Sequence, residues 1–570
     1  MPKTKGFLSP RYPTLENRRL VCYTDRMEAT KKTTFVKGAA ILAAAGLICK
    51  LIGVFFRIFA VRIIGESGMF YYELVYPTYS WLLIISSSGI PTAISRMVAE
   101  RVAVGNYYGA RRVFRWSLLL LLLIGAVTSS LMFFLAPWLG KTVLNGGDGA
   151  EYAMMALAPA LLFVSLMCAY RGYLQGLQRM TGTSVSQFAQ QIFKFIFGLL
   201  FAWLLFRKYA DTDLCYAAGA AGLLLGVTVS ELLSLFVIMI FYAKVRKRYP
   251  VTVIPETQKA DLVFGRLLVI AIPITLGASI LPFANFLDSV MIKRLLEGVG
   301  YTVEEAELRY TTLCLYVRSI INLPATLTIG ISMSVVPAIS AARVREDRSG
   351  VQQLSLLSLK IAMAIGLPCA VGLSVLAGPI ITLLYSRITP QAYEIAVPLM
   401  HVAAFTVIFI SLVQTATGAL QGAGNHWLPM WFLLIGGLTK IAVNFIFIPM
   451  KEINILGAVF SNLACFGVAG ILDTIALLRI TKAKLNVFDT FLKPIAASAL
   501  MGGAAWGVHW LLSRLPLFRS GTLMRSVATL LAIAAAVIVY ALLTVLFAMF
   551  TKEELAYIPG GRRLARFARR

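Results

Sequence analysis

Charge is scarce in this 570-residue chain: 14% of its residues are Asp, Glu, Lys or Arg, and only 26 are acidic. Soluble domains carry about 25% charged and roughly 45–50% apolar residues; here 59% are hydrophobic, and the mean hydropathy is +0.79. That balance excludes a soluble globular protein, and intrinsic disorder with it. Histidine is nearly missing. His401, His426 and His509 stand isolated, with no His-Glu-x-x-His pair to hold a catalytic metal. The seven cysteines are scattered, without metal or disulfide spacing. A Walker A loop is also absent, because the first glycine that Gly140-Lys-Thr142 would need falls on Leu135. No polar segment is large enough for a catalytic domain, and no Ser, His and Asp set can be assembled. An enzyme is therefore the weaker class, no cofactor or metal is expected, and ATP-driven transport by this chain alone is not expected.

What is present is apolar sequence in long runs. A membrane-crossing helix needs about 20 mostly apolar residues, and fourteen segments qualify. The first seven are 38–64, 76–98, 114–138, 152–177, 184–206, 216–242 and 265–290. The second seven are 311–336, 354–385, 395–420, 427–450, 455–478, 491–512 and 523–550. The expected class is an all-α polytopic membrane protein. The basic leader 1–37 has no apolar core, which excludes a secretory signal peptide, and Met27 within it is a second plausible start.

The net charge of +27 has a topological meaning. With the N-terminus in the cytoplasm, 34 of the 53 Lys and Arg fall in the leader, the inside loops and the tail, and 11 fall outside. The positive-inside rule then places both termini in the cytoplasm of an inner-type membrane, and the resemblance given below implies that this is a bacterial plasma membrane. Basic runs such as Lys244–Arg248 are explained by topology, so nucleic acid is not an expected partner.

An internal repeat divides the chain. Ser165-Leu-Met-Cys-Ala-Tyr-Arg-Gly-Tyr-Leu-Gln-Gly176 recurs as Ser411-Leu-Val-Gln-Thr-Ala-Thr-Gly-Ala-Leu-Gln-Gly422, an offset of 246. The same offset relates Pro91 to Pro337 and Lys194 to Lys440. In span number the shift is six, which preserves orientation, so the repeat is parallel about an axis along the membrane normal. The expected domains are a leader (1–37), an N-lobe of spans 1–6 (38–250), a C-lobe of spans 7–12 (251–485), spans 13–14 (486–550) and a basic tail (551–570). Two such lobes meet at a midplane cavity, marked by interrupted helices in matching places. Ser86-Ser-Ser-Gly-Ile-Pro91 in span 2 and Asn322, Pro324, Gly330 and Pro337 in span 8 are the expected interruptions.

Eight cations remain inside the spans, where charge is costly and usually faces a cavity. Arg62, Arg96 and Lys360 lie near helix ends and are expected to reach the interface. Lys50 and Arg57 lie seven residues apart on one face of span 1. Lys194 and Lys440 occupy equivalent repeat positions near mid-span, and Arg318 lies toward an end of span 8. The acids inside spans are Glu231, Asp288 and Asp473. Asp288, in Asn285-Phe-Leu-Asp288, is either an ion or proton site or the acid of a structural ion pair. The cationic excess suits an anionic group such as a pyrophosphate.

These residues resemble the oligosaccharidyl-lipid flippase superfamily over about residues 37–550, above all its stage V sporulation protein B group, which is similar to the bacterial lipid II flippases. The likeness rests on Leu51-Ile-Gly-Val-Phe-Phe-Arg57-Ile-Phe-Ala-Val-Arg62-Ile-Ile-Gly65, Ser88-Gly-Ile-Pro-Thr-Ala-Ile-Ser-Arg96 and Tyr170-Arg-Gly-Tyr-Leu-Gln-Gly176. It continues in Leu323-Pro-Ala-Thr-Leu-Thr-Ile-Gly330 and Val336-Pro-Ala-Ile-Ser340. The resemblance implies two six-helix lobes around a cavity, with the last helix pair forming a lipid-facing groove. It also implies alternating access driven by Na⁺, H⁺ or the membrane potential, and an undecaprenyl-pyrophosphate-linked cell-wall precursor as substrate. Lys50 and Arg57 fit basic positions of the family's first helix, and Arg318 replaces an arginine of its eighth. Tyr79-Ser-Trp-Leu82 carries no counterpart of the second-helix arginine found in Gram-negative members. Substrate contacts are thus expected from Lys50, Arg57, Lys194, Arg318 and Lys440, and possible ion coupling from Asp288. The expected partners are the lipid-linked glycan, membrane lipids and cell-wall synthesis proteins, with the chain itself a monomer. Rival readings are a flippase for another lipid-linked polysaccharide, a cation-coupled multidrug extruder, a non-transporting scaffold and a membrane glycosyltransferase. The extruder would want more carboxylates in the first lobe, and the glycosyltransferase would want catalytic acids in a polar loop.

Overall fold

The computed structural model describes residues 15–248, 260–519, 521–551 and 554. The start of the leader and most of the basic tail lie outside them. The described residues hold helices and no strand. Hydrocarbon imposes this outcome, because a helix satisfies its backbone amides within its own segment.

The first element, α1 (Leu15–Ser87), bends at Gly65, where φ is 68° and ψ is −175°, a region essentially restricted to glycine. Residues expected as a basic leader are therefore helical from Leu15 onward, and the expected loop at 65–75 is helix instead. A one-residue break at Ser88 separates α1 from α2 (Gly89–Ala103). The first half continues with α3 (Tyr107–Phe134), α4 (Ala150–Gly176), α5 (Met180–Lys208) and α6 (Cys215–Arg248). The second half opens with α7 (Ala260–Val299) and the short α8 (Val303–Thr311). A π-helical turn, Thr312–Arg318, leads into α9 (Ser319–Val344). Then come α10 (Arg348–Val375), α11 (Ala377–Leu384), α12 (Pro390–Ala403), α13 (Thr406–Gly422), α14 (Trp427–Phe447) and α15 (Leu456–Thr481). Last are α16 (Lys493–Arg514), α17 (Pro516–Arg519) and α18 (Thr522–Leu546), of which α16 and α18 pack together and against α10 through Leu376, Met501, Ala505, Ala532 and Ala536.

Eleven described helical segments are long and apolar enough to cross a membrane, and α12 with α13, bent by 46°, makes a twelfth if the pair is one span. They occupy the places of expected spans 3 to 14. The first two expected spans fall on α1 and α2 and lie outside that number, so up to twelve of the fourteen expected spans have such a helix among the described residues. Tyr71, Tyr72, Glu73, Tyr76 and Tyr79 dilute the second part of α1, and α2 has only 15 residues.

The repeat motif has a packing role. A side chain at Gly172 would stand 2.8 Å from the Pro91 carbonyl oxygen, and one at Gly176 would stand 2.7 Å from that of Ser95. In the second half, a side chain at Gly418 would run into the Ser332 side chain and Cα, and one at Gly422 would stand 2.9 Å from the Val336 carbonyl oxygen. Glycines four apart let two helices meet backbone to backbone, once on α2 and once on α9.

The two interruptions differ. In span 2 the break is real, and the Gly89 amide donates to Thr275 Oγ1 of α7 at 3.1 Å. A Cβ there would meet the Ala271 carbonyl oxygen at 2.1 Å, so the break seats α2 against α7 rather than lining a cavity. In span 8, α9 runs unbroken through Pro324 and Pro337, and the irregular turn lies upstream at 312–318.

Candidate functional site

A cavity of about 550 Å³ opens between the two halves of the chain. From the first half it is lined by Cys49, Lys50, Val54, Arg57, Tyr72 and Tyr76 of α1 and by Gln191 and Lys194 of α5. Opposite stand Leu281 and Asn285 of α7, Ser319, Asn322 and Thr326 of α9, Gln414 of α13, Lys440 of α14, and Asn462 and Phe466 of α15. Four expected site residues, Lys50, Arg57, Lys194 and Lys440, share this wall. The seven-residue spacing of Lys50 and Arg57 does put both on one face.

Each cation is held differently. Lys50 is exposed to the cavity and has no ion-pair partner among the described residues. Lys194 Nζ reaches Tyr72 Oη at 3.4 Å and lies 4.9 Å from the Phe56 ring centre and 5.2 Å from that of Tyr76. These ring faces attract an ammonium without neutralising it. Arg57 donates to Ser319 Oγ across the cavity, and its other nitrogen lies 3.4 Å from Glu73.

Arg318 and Asp288 are not in the wall. They stand behind it as part of one cluster, in which Asp288 Oδ2 pairs with Lys440 at 2.7 Å and with Arg318 at 2.8 Å. Asn444 donates to Asp288 Oδ1 at 3.0 Å, and Lys440 also reaches Asn285 Oδ1 at 3.4 Å. Asp288 is 1% exposed and Lys440 3%. One carboxylate thus serves two cations and leaves net positive charge beside the cavity. Among the described residues, no three His, Cys, Asp or Glu side chains come together as metal ligands.

Two charged groups of this interior were not singled out from the sequence. Glu73, 5% exposed, sits in a tyrosine-rich stretch that reads as a loop. Lys293, between the expected spans 265–290 and 311–336, is 2% exposed, held by Glu307 at 2.8 Å and the Asn145 carbonyl at 2.5 Å. Of the three cations expected at helix ends, Arg62 and Arg96 are exposed, whereas Lys360 is buried on Glu554 at 2.8 Å.

Past Arg57 the two halves are joined by a polar seam. Glu66 accepts from Tyr316 Oη at 2.6 Å and from the Thr389 amide and hydroxyl at 3.2 and 2.6 Å. Arg62 donates to Ser386 at 3.2 Å, Asn145 donates to Glu297 at 2.8 Å, and Tyr310 donates to the Glu73 carbonyl at 3.2 Å. At the other end, Arg266 meets Glu100 at 2.8 Å, near the contact of α2 with α7.

A family model described as polysaccharide biosynthesis protein matches residues 35–342, and one described as MatE matches residues 315–446. The chain is 24% identical over 533 residues to stage V sporulation protein B of Bacillus subtilis (strain 168), covering 93% of this chain and 98% of that protein. It is likewise 24% identical over 555 residues to lipid II flippase MurJ of the same organism, covering 94% and 98%. A solved structure of lipid II flippase MurJ in an inward closed conformation is similar with a TM-score of 0.61 at 16% identity, covering 89% of this chain and 98% of that one. This structural likeness concerns the fold.

Proposed function

The chain belongs to the polysaccharide biosynthesis protein family, and from that membership we propose that it is a secondary-active flippase for an undecaprenyl-pyrophosphate-linked cell-wall precursor, lipid II or a similar lipid. The coarser statement stands on the relatives together: the chain is a multi-pass membrane transporter, not an enzyme. The carrying observation for the substrate class is the cavity wall, where Lys50, Arg57, Lys194 and Lys440 face one space between the halves. A pyrophosphate cannot cross hydrocarbon unescorted, because burying an unpaired charge costs far more than a fold can supply. Basic donors inside a wet cavity replace its hydration with charge-assisted hydrogen bonds.

In this reading the cavity loads from the inner leaflet while the seam around Glu66 is closed. The polyprenyl tail stays in lipid, and the halves then reverse their tilt to release the head group outside. Both termini lie in the cytoplasm in this reading, which the excess of Lys and Arg in the expected inside loops supports. The drive is an ion gradient or the membrane potential, worth about 2.3 kcal/mol per elementary charge per 100 mV.

The test is translocation of lipid II by the purified chain in liposomes, scored against other undecaprenyl-linked glycans and a cationic dye. Lipid II moving fastest supports the reading; dye export with no lipid movement overturns it. In cells, Arg57→Ala is expected to abolish complementation of a flippase-depleted strain at unchanged protein level. Normal growth of that strain would remove Arg57 from the site.

A further inference from the structure

The buried carboxylates inside the spans are not equally provided for. Glu73 has Arg57, and Asp288 has Lys440 and Arg318. Glu231 accepts from Gln190 at 2.6 Å, and Gln190 in turn accepts from Arg171 at 3.0 Å, so a guanidinium stands one side chain away although Glu231 Oε2 itself has no partner. Asp473, on α15, is 1% exposed and has one partner, Thr417 Oγ1 of α13, at 2.9 Å. Its Oδ1 is buried with no partner, and no basic nitrogen lies within 4 Å among the described residues.

The repeat sharpens the contrast. Thr417 is the 246-offset equivalent of Arg171, and Asp473 lies one helical turn before Leu477, the equivalent of Glu231. Each half therefore buries a carboxylate at a matching place, but the second half has a hydroxyl where the first has a guanidinium. We propose that Asp473 is a proton-binding site, in which a proton supplies the positive charge that the first half brings near its carboxylate as Arg171, through Gln190.

The elements packed on α15 offer no other counter-charge. α13 contains no ionisable side chain. On α14, Lys440 is engaged by Asp288, and His426 lies at the helix N-terminus. On α10, Lys360 is engaged by Glu554, and Arg348 begins the helix. On α12, His401 meets the Ser374 carbonyl, and Glu394 lies in the outer half of the chain's charge pattern. An ionised Asp473 would keep a single hydroxyl donor in a medium that penalises bare charge heavily. The cavity wall runs along the same two helices, α13 and α15, toward the site. Gln414 lines the cavity three residues before Thr417 on α13, and Asn462 and Phe466 line it on the stripe of α15 that continues to Asp473.

Infrared pH-difference spectroscopy on the full chain in lipid nanodiscs tests this without any transported lipid. The expected result is a protonated-carboxyl band that appears and disappears across the neutral range and is lost in Asp473→Asn. Thr417→Val, which removes the donor, is expected to move the band's midpoint, and Thr417→Ser to leave it in place. A band that survives in Asp473→Asn overturns the site, as does its absence from the parent chain. If Asp473→Asn does not fold, a midpoint unmoved by Thr417→Val overturns it equally. The role of this proton in driving transport rests on the flippase reading. The spectroscopic result does not, so the two can fail separately.

Discussion

At Asp288, one carboxylate meets Lys440 at 2.7 Å and Arg318 at 2.8 Å in a place 1% exposed. Removing one member of such a group strands the others, typically at about 3–5 kcal/mol. Asp288→Asn is therefore expected to lower unfolding stability in detergent by about that amount, read from a thermal or denaturant melt. Adding Lys440→Met removes one stranded cation and is expected to recover part of the loss. An Asp288→Asn melt equal to the parent's would show that the cluster is already neutralised by other means. The cations of this site were legible because a lysine or arginine in an apolar run stands out. The acids were less so. Glu73 lies among tyrosines that resemble a loop, and only the structure shows that the stretch beyond the bend at Gly65 is helix. What the sequence left open at Asp288, ion site or ion pair, the geometry fills with two partners.

At the scale of helices, the glycines separate into those that hold shape and those that merely occupy it. Gly65 takes a conformation that costs another residue about 1–3 kcal/mol. Gly503, in the middle of α16, has nothing within 4 Å of an added methyl. Gly65→Ala is expected to destabilise the protein, and Gly503→Ala to stabilise it by roughly 0.5–1 kcal/mol, both read as shifts in melting in the same detergent. The interruptions in spans 2 and 8 were visible as Gly, Pro and Ser clusters, but their consequences were not. Whether a break lines a cavity or seats a neighbour depends on which helix faces it, and for Gly89 that is α7, whose Thr275 lies 186 residues away in sequence. The offset of 246, by contrast, carried through to backbone packing at Gly172, Gly176, Gly418 and Gly422.

For the whole molecule, the seam around Glu66 predicts which side of the cavity is shut. In a chain with Cys49 as its only cysteine, a membrane-impermeant maleimide added outside is expected to label Cys49 slowly. Glu66→Ala removes the acceptor for Tyr316 and Thr389 and is expected to speed that labelling several-fold. Unchanged labelling would mean that the remaining contacts close the seam alone. The charge count sorts loops to two sides without any coordinates, because topology acts on every basic loop. It does not reach the bend of α1, which is set by the backbone conformation of a single residue, Gly65.

Arg57 belongs to the cavity wall and, through Ser319, to the contact that joins the halves just inside the seam. Its donors are finite, so an anion that takes them competes directly with Ser319. Occupancy and closure are thereby linked through a single guanidinium, and linkage is reciprocal. A ligand that draws Arg57 away loosens the tie between the halves, and whatever parts the halves frees Arg57 to bind. Cargo recognition and the first movement of the cycle would then be the same event.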